Sequence, residues 1–278
     1  MLLFTKSKFK KIDLFLISYQ SHNHFIIIII IIIKIMKIKN IIDRSIIPDY
    51  VNINNVNLGI SINVKDLDLD EIFNKVELAT NNIQIIRYKE NIKFSDNLTN
   101  TNKRILSRFN EQITKKKPII YFHNMMAFFF KRSCFRLFKN GSLLMTGKAN
   151  VSEINKHIKT IFKILEDYED DIKMLNIKLN SSSFNIGFSS IDIEKTTQKL
   201  LSNEYREKMS MHIGARAKTF ARNGETIYIF NKSILGMGYK SFQSIKDVTE
   251  LIREFIEIED ISKNIANASD DHIFEISI

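Results

Sequence analysis

FRLFKNGSLLMTGKANVSEINKHIKTIFKIL, residues 135–165, decides the fold, because its pattern returns at residues 227–256 as IYIFNKSILGMGYKSFQSIKDVTELIREFI. Each copy is a hairpin followed by a segment of helical period. Phe138 and Phe230 open the two copies, Gly147 and Gly238 close the hairpins, and Ile154 and Ile245 each stand seven residues after their glycine. A second echo lies upstream. NVNLGISINVKDLDLDEIFNKV (55–76) is matched by NSSSFNIGFSSIDIEKTTQKLL (180–201), each an alternating strand running into a short helix. The chain is a tandem repeat of one strand-helix-strands-helix unit, which makes the fold class α+β.

Working outward, Asp66-Leu67-Asp68-Leu69-Asp70-Glu71 puts carboxylates at the start of the first helix, where they complement its dipole. Residues 82–88 read as a short strand, and Asn140-Gly141 supplies a tight turn. Alternation then places Phe138, Arg136 and Cys134 on one side of the sheet and Leu137 and Phe135 on the other. Ile154, Ile158, Ile161 and Leu165 fall at helical spacing behind a capping box of Asn150 and Glu153. Ile245, Val248, Ile252 and Phe255 repeat that face, with Ser244 as the expected cap. Asn55 to Phe138 spans 83 residues and Asn180 to Phe230 spans 50, so the first copy carries an insertion of 33 residues. It is expected around 89–118, as a polar surface excursion with a helix over 103–113.

The 278 residues, 44% of them hydrophobic, can build a real core. The expected organisation is a low-complexity, disordered leader over 1–49, a first repeat over 50–170, a second over 171–257 and an acidic, mobile tail over 258–278. The leader's apolar run, Phe25 to Ile33, is nine residues long, whereas a bilayer span needs about 18 or more. It reads as low-complexity sequence preceding a start at Met36, or as a weak membrane-surface anchor. The single cysteine, Cys134, cannot form an intramolecular disulfide and points to a reducing, intracellular compartment.

Net charge is +10. Such a surplus suits a polyanionic partner, although an A·T-rich gene would also enrich lysine. Its distribution favours the partner. From Lys115 to Lys148 there are eight Lys or Arg and no Asp or Glu, while carboxylates gather in the helices and the tail. A sheet face bearing cations and phenylalanines suits a nucleic-acid backbone, with core packing the competing reading for any single phenylalanine.

Chemistry-bearing patterns are missing. His123, His157 and His212 have no Cys or His at metal spacing, Gly214 and Gly224 form no phosphate-binding turn, and no Ser or Cys sits in a nucleophile elbow. The expectation is a protein that is not an enzyme, with no cofactor, no metal and no small-molecule substrate.

FKNGSLLMTGKA (138–149) and FNKSILGMGYK (230–240), with Leu67-Asp68-Leu69 and Ile191-Asp192-Ile193 entering helices, resemble the TATA-box-binding protein family over about residues 50–257. The resemblance implies a saddle of about ten antiparallel strands with helices on its convex face. It further implies a general initiation factor that binds and bends A·T-rich promoter DNA through the minor groove. Partners would be a TFIIB-like basal factor and a multisubunit RNA polymerase. Carried over, Phe138 and Phe230 become wedges, Leu144 and Leu235 apolar contacts, Thr146 a base-edge partner, and Asn55 and Asn180 the central asparagines. Asn57, Arg136, Ser182, Tyr228 and Met237 would line the same surface.

The sequence departs from that family at Ser142 (a lysine there), Met237 (a threonine), and Asn57 and Ser182 (valines). A second phenylalanine for each wedge is also lacking: copy one offers Phe122 or Phe128 to Phe130, copy two only Phe220. A preserved scaffold with diverged contacts resembles members encoded by large DNA viruses of eukaryotes, which implies a nucleus, a viral cytoplasmic factory or a virion as location. The alternative function is a protein-interaction module on the same scaffold that has lost sequence-specific DNA binding.

Overall fold

In a computed structural model the described residues are 38, 40–78, 82–114, 123–148, 150–168, 172–208 and 217–258. The chain divides into two compact units, Met1–Asn40 and Ile41–Ile278, and the sheet with its helices belongs to the second. Most of the expected leader and tail, with Lys115 to Lys117, Phe122 and His212, lies outside the described residues.

In chain order the elements are β1 (Asn52–Ile62), α1 (Leu69–Lys75), β2 (Ile85–Tyr88), β3 (Asn91–Phe94), α2 (Asn100–Thr114), β4 (Met125–Phe129), β5 (Ser133–Phe138), β6 (Ser142–Gly147) and α3 (Val151–Glu166), followed by β7 (Met174–Ile191), α4 (Ile193–Ser202), β8 (Arg206–Lys208), β9 (Lys218–Arg222), β10 (Glu225–Ile229), β11 (Ser233–Tyr239), α5 (Phe242–Arg253) and β12 (Ile256–Ile258). All described strands join one sheet in the order β3-β2-β4-β5-β6-β1-β7-β11-β10-β9-β8, with β12 on β7. Setting aside β3 and β12, the order reads as a mirror sequence about the β1–β7 junction. This is the expected α+β architecture, two pseudo-symmetric halves of a single saddle-like antiparallel sheet. It has two strands beyond the ten anticipated.

The pairing makes the symmetry residue-specific. On the β1–β7 ladder Val56 faces Ser182, flanked by Asn57 opposite Ser181 and Asn55 opposite Ser183. Exchanging the repeats maps each flanking pair onto the other, so the pseudo-twofold axis passes through Val56 and Ser182. Two bulges obey the same axis, with Asn54 skipped on β1 and Asn180 on β7. Asn180 is therefore the counterpart of Asn54, not of Asn55.

Local chemistry repeats as well. Asp68 caps α1 and Asp192 caps α4, each accepting from the backbone N–H three residues on. Asn150 and Glu153 form the anticipated capping box on α3. On α5 the cap is Ser241, which accepts from the Ser244 N–H at 3.0 Å; Ser244, expected as the cap, is its partner instead. Gly147 (φ +150°) and Gly238 (φ +85°) share one steric demand. A Cβ on Gly147 would lie 2.3 Å from the Arg132 carbonyl oxygen, and one on Gly238 2.3 Å from that of Gly224. The repeated glycines thus record the close approach of each closing strand to the turn of the neighbouring hairpin.

The core lies between the sheet and four of the helices. On the helix face Val56, Leu58, Phe128, Phe135, Leu137, Phe184, Ile186, Phe220, Ile227 and Ile234 are buried, opposite Ile72, Ile154, Ile161, Leu165, Leu200, Ile245 and Ile252. Burying an aliphatic or phenyl side chain contributes roughly 1.5–3 kcal/mol, so these facing stripes dominate the stability of the unit. His157 of α3 belongs to this layer. It stacks on Phe130 at 4.0 Å and shares a hydrogen bond with Ser133 Oγ at 3.0 Å. Burial pushes its pKa down to about 4.

Candidate nucleic-acid interface

The face opposite those helices is built by the other half of each alternation. The ladders carry one set of residues across the sheet: Arg87, Ala127, Arg136, Leu144 and Gly59 on the first repeat, then Asn185, Leu235, Tyr228, Thr219 and Lys208 on the second. Period-two alternation adds Asn55, Asn57, Phe138, Thr146, Thr226, Met237 and Arg206 to the same side.

Among the residues predicted from sequence, Asn55, Asn57, Arg136, Phe138, Leu144, Thr146, Tyr228, Leu235 and Met237 therefore share this open face. Phe230 follows β10 immediately, its ring 6.4 Å from that of Tyr228 and nearly parallel to it. Asn180 joins them through its bulge: its Nδ2 lies 2.9 Å from where Gly59 would carry a Cβ. Ser182 does not. It is only 3% exposed, lies on the helix face, and donates to the Tyr239 carbonyl at 3.0 Å. The cause is the Asn180 bulge, which resets the alternation and turns Ser182 into the core beside Val56.

The electrostatics of the face are one-signed. Arg87, Arg136, Lys178, Arg206 and Lys208 occupy its strands, and no Asp or Glu does so among the described residues. Its centre is polar. Asn57 Nδ2 donates to Ser181 Oγ at 2.8 Å. Asn55 Oδ1, Asn57 Oδ1, Asn185 Oδ1, Thr146 Oγ1 and Thr219 Oγ1 are buried without a hydrogen-bond partner; among the described residues Thr197 Oγ1 is the sole other. Each such group costs about 1–3 kcal/mol, and five of them on one face mark a surface short of partners. Asn185 and Thr219 were not foreseen. Their signal is the register of β7 and β9, which only the ladder supplies.

In the strand before each leading phenylalanine the sequence offers no clear second aromatic, and the structure places each candidate. In the second repeat that strand's open-face positions are Thr219 and Ala221, because Phe220 points into the core and is fully buried. In the first repeat Phe128 and Phe130 are core residues, which leaves Phe129 on the open face. Phe129 is covered. The ring of Phe109, from α2 in the insertion, meets it edge-on at 6.0 Å, and the Arg87 guanidinium lies 4.4 Å from the Phe109 centroid. The insertion was expected as a surface excursion; its helix instead lies on the open face at the β2–β4 flank.

Among the described residues no group of three or more His, Cys, Asp or Glu could hold a metal ion, and no helix is long and apolar enough to cross a membrane. No protein-family model and no curated protein matches the chain. Among solved structures, the TBP of Methanococcus jannaschii is similar to it, with 17% identity and a TM-score of 0.44, covering 73% of this chain and 98% of that one.

Proposed function

We propose that this chain is a non-enzymatic transcription factor that lays the open face of its sheet into the minor groove of A·T-rich duplex DNA and bends it. The observation that carries the reading is the composition of that face: four cations on its uncovered strands (Arg136, Lys178, Arg206 and Lys208), no carboxylate on its strands among the described residues, and Phe138 and Phe230 at symmetry-related places on either side of an Asn, Ser and Thr band. Cations on the strands release condensed counterions from phosphates. The minor groove of A·T pairs offers only acceptors. The amide at the centre can answer them, because a half-turn of Asn57 lets Ser181 donate to Oδ1 and frees the NH2 for a base. Phe138 and Phe230 would insert at two base steps, each unstacking costing a few kcal/mol that wider contact offsets. Promoter specificity, recruitment of a basal factor and polymerase, and a nuclear or viral-factory location belong to the same proposal.

The test is a titration of duplex binding and bending, read by fluorescence transfer between end-labels, against salt and A·T content. The reading requires tighter binding to A·T-rich than to G·C-rich duplex, a shorter end-to-end distance, and affinity that falls steeply with salt. Failure to bind any duplex at low salt would reject it in favour of the protein-interaction module. Met237, 46% exposed at the position symmetric to Thr146, is the observation on that side.

A further inference from the structure

We infer that α2 makes the interface one-sided, by removing the outer flank of the first repeat from the surface a duplex can reach. The inference rests on the proposed function and concerns how far the contact extends.

The helix is built into the sheet. Asn102 is 2% exposed and its Nδ2 donates to the Phe130 carbonyl at 3.1 Å and to Gln84 Oε1. Gln84 Oε1 also accepts from the backbone N–H and the hydroxyl of Thr99, both at 3.1 Å, just ahead of the helix. About two turns later Phe109, 4% exposed, closes over Phe129. Asn102 and Phe109 lie seven apart, so both face the sheet together, while Lys103 on the outer side is exposed.

Dimensions decide the consequence. A helix with its side chains is about 10 Å across, whereas the minor groove is roughly 7.5 Å deep. A duplex seated on the sheet cannot pass over α2 without lifting off. Strands β4 and β2 beneath the helix, and β3 at the sheet edge beyond them, are about 4.8 Å apart, so roughly 14 Å of face is cut off on this side. At about 3.4 Å per base step that is about four base pairs. The second repeat has no counterpart among the described residues, since Lys208 and Arg206 on β8 are exposed.

Two variants of the full chain, each with one added cysteine carrying a tethered iron-EDTA group that cleaves nearby DNA, test this. Lys103→Cys places it on α2 and Lys208→Cys on the opposite edge. Native Cys134 does not interfere, because burial pushes its thiol up to about 11. On an A·T-rich duplex, cuts from position 103 are expected about four base pairs nearer the centre of the bend than cuts from position 208. Equal distances would overturn the inference while leaving DNA binding intact. Absence of any bound duplex would overturn both it and the function. A second variant replaces residues 96–114 with a short Gly-Ser linker. Its footprint should lengthen by about four base pairs on one side, and an unchanged footprint from folded variant would count equally against the inference.

Discussion

Val56 and Ser182 face each other on the pseudo-twofold axis of the sheet, so one place in the repeat is filled by an apolar side chain in one copy and by a hydroxyl in the other. Both are buried on the helix face. The hydroxyl is tolerated because Tyr239 offers its carbonyl at 3.0 Å. Ser182→Ala should therefore lower stability by about 1 kcal/mol, the usual net worth of such a bond, in urea denaturation, and leave duplex affinity unchanged. A weakened affinity in a variant of normal stability would return Ser182 to the DNA surface.

Phe138→Ala with Phe230→Ala should abolish bending while keeping salt-sensitive binding, because the cations remain when the wedges go. Each single variant should remove one of two kinks. Unchanged energy transfer on A·T-rich duplex with the double variant would show that these rings do not insert.

Gly236 sits beneath Phe184: an added Cβ would come 2.1 Å from Phe184 Cε1, a ring that is wholly buried. Gly236→Ala should cost about 1–3 kcal/mol as an overpacked core does, and Gly236→Val more. Gly187, on the other side of the same ladder, has nothing within 4 Å of its Cβ position. Gly187→Ala is the control and should be neutral or slightly stabilising. Equal losses at both glycines would point to backbone strain in place of the ring.

His157 gives the fold a dependence on acid. Its folded pKa is lowered to about 4 from an ordinary value of 6.5, first by burial, so the unfolded chain binds the proton more readily. Stability from this residue is complete above about pH 6.5 and declines as pH falls towards 4. Val248 occupies the equivalent place on α5. His157→Val with Ser133→Ala, which removes both ends of the buried hydrogen bond, should flatten thermal stability between pH 6.5 and 4. A slope identical to the parent chain would assign the acid sensitivity to carboxylates.

Much of this was legible because a tandem repeat constrains two places at once. Phe138 and Phe230, Gly147 and Gly238, and the carboxylates at Asp68 and Asp192 all carry local signals, and the structure gives each pair equivalent places in the two repeats. What escaped depends on register. Asn180 pairs by symmetry with Asn54, and Ser182 turns inward, because a bulge inserts a residue without any mark in the sequence. Phe129 reads like Phe128 and Phe130 as a string of three, and only pairing with Cys134 assigns it to the open face. The polar insertion predicts a helix of about the observed length. Where the helix docks is set by Asn102, Gln84 and Phe109 meeting over a distance the local pattern cannot encode.

Strand β7, 18 residues long, opens the second repeat and supplies β1 of the first with its second neighbour. During synthesis the first repeat emerges with one long side of β1 uncovered, and it stays so until the ribosome has delivered residues beyond Met174. Such a distant pairing closes slowly, and an uncovered strand invites the wrong companion. Translation of this chain therefore passes through a stage at which two nascent copies could join through β1, and its yield in cells should depend on chaperones that shield that side until the second half arrives.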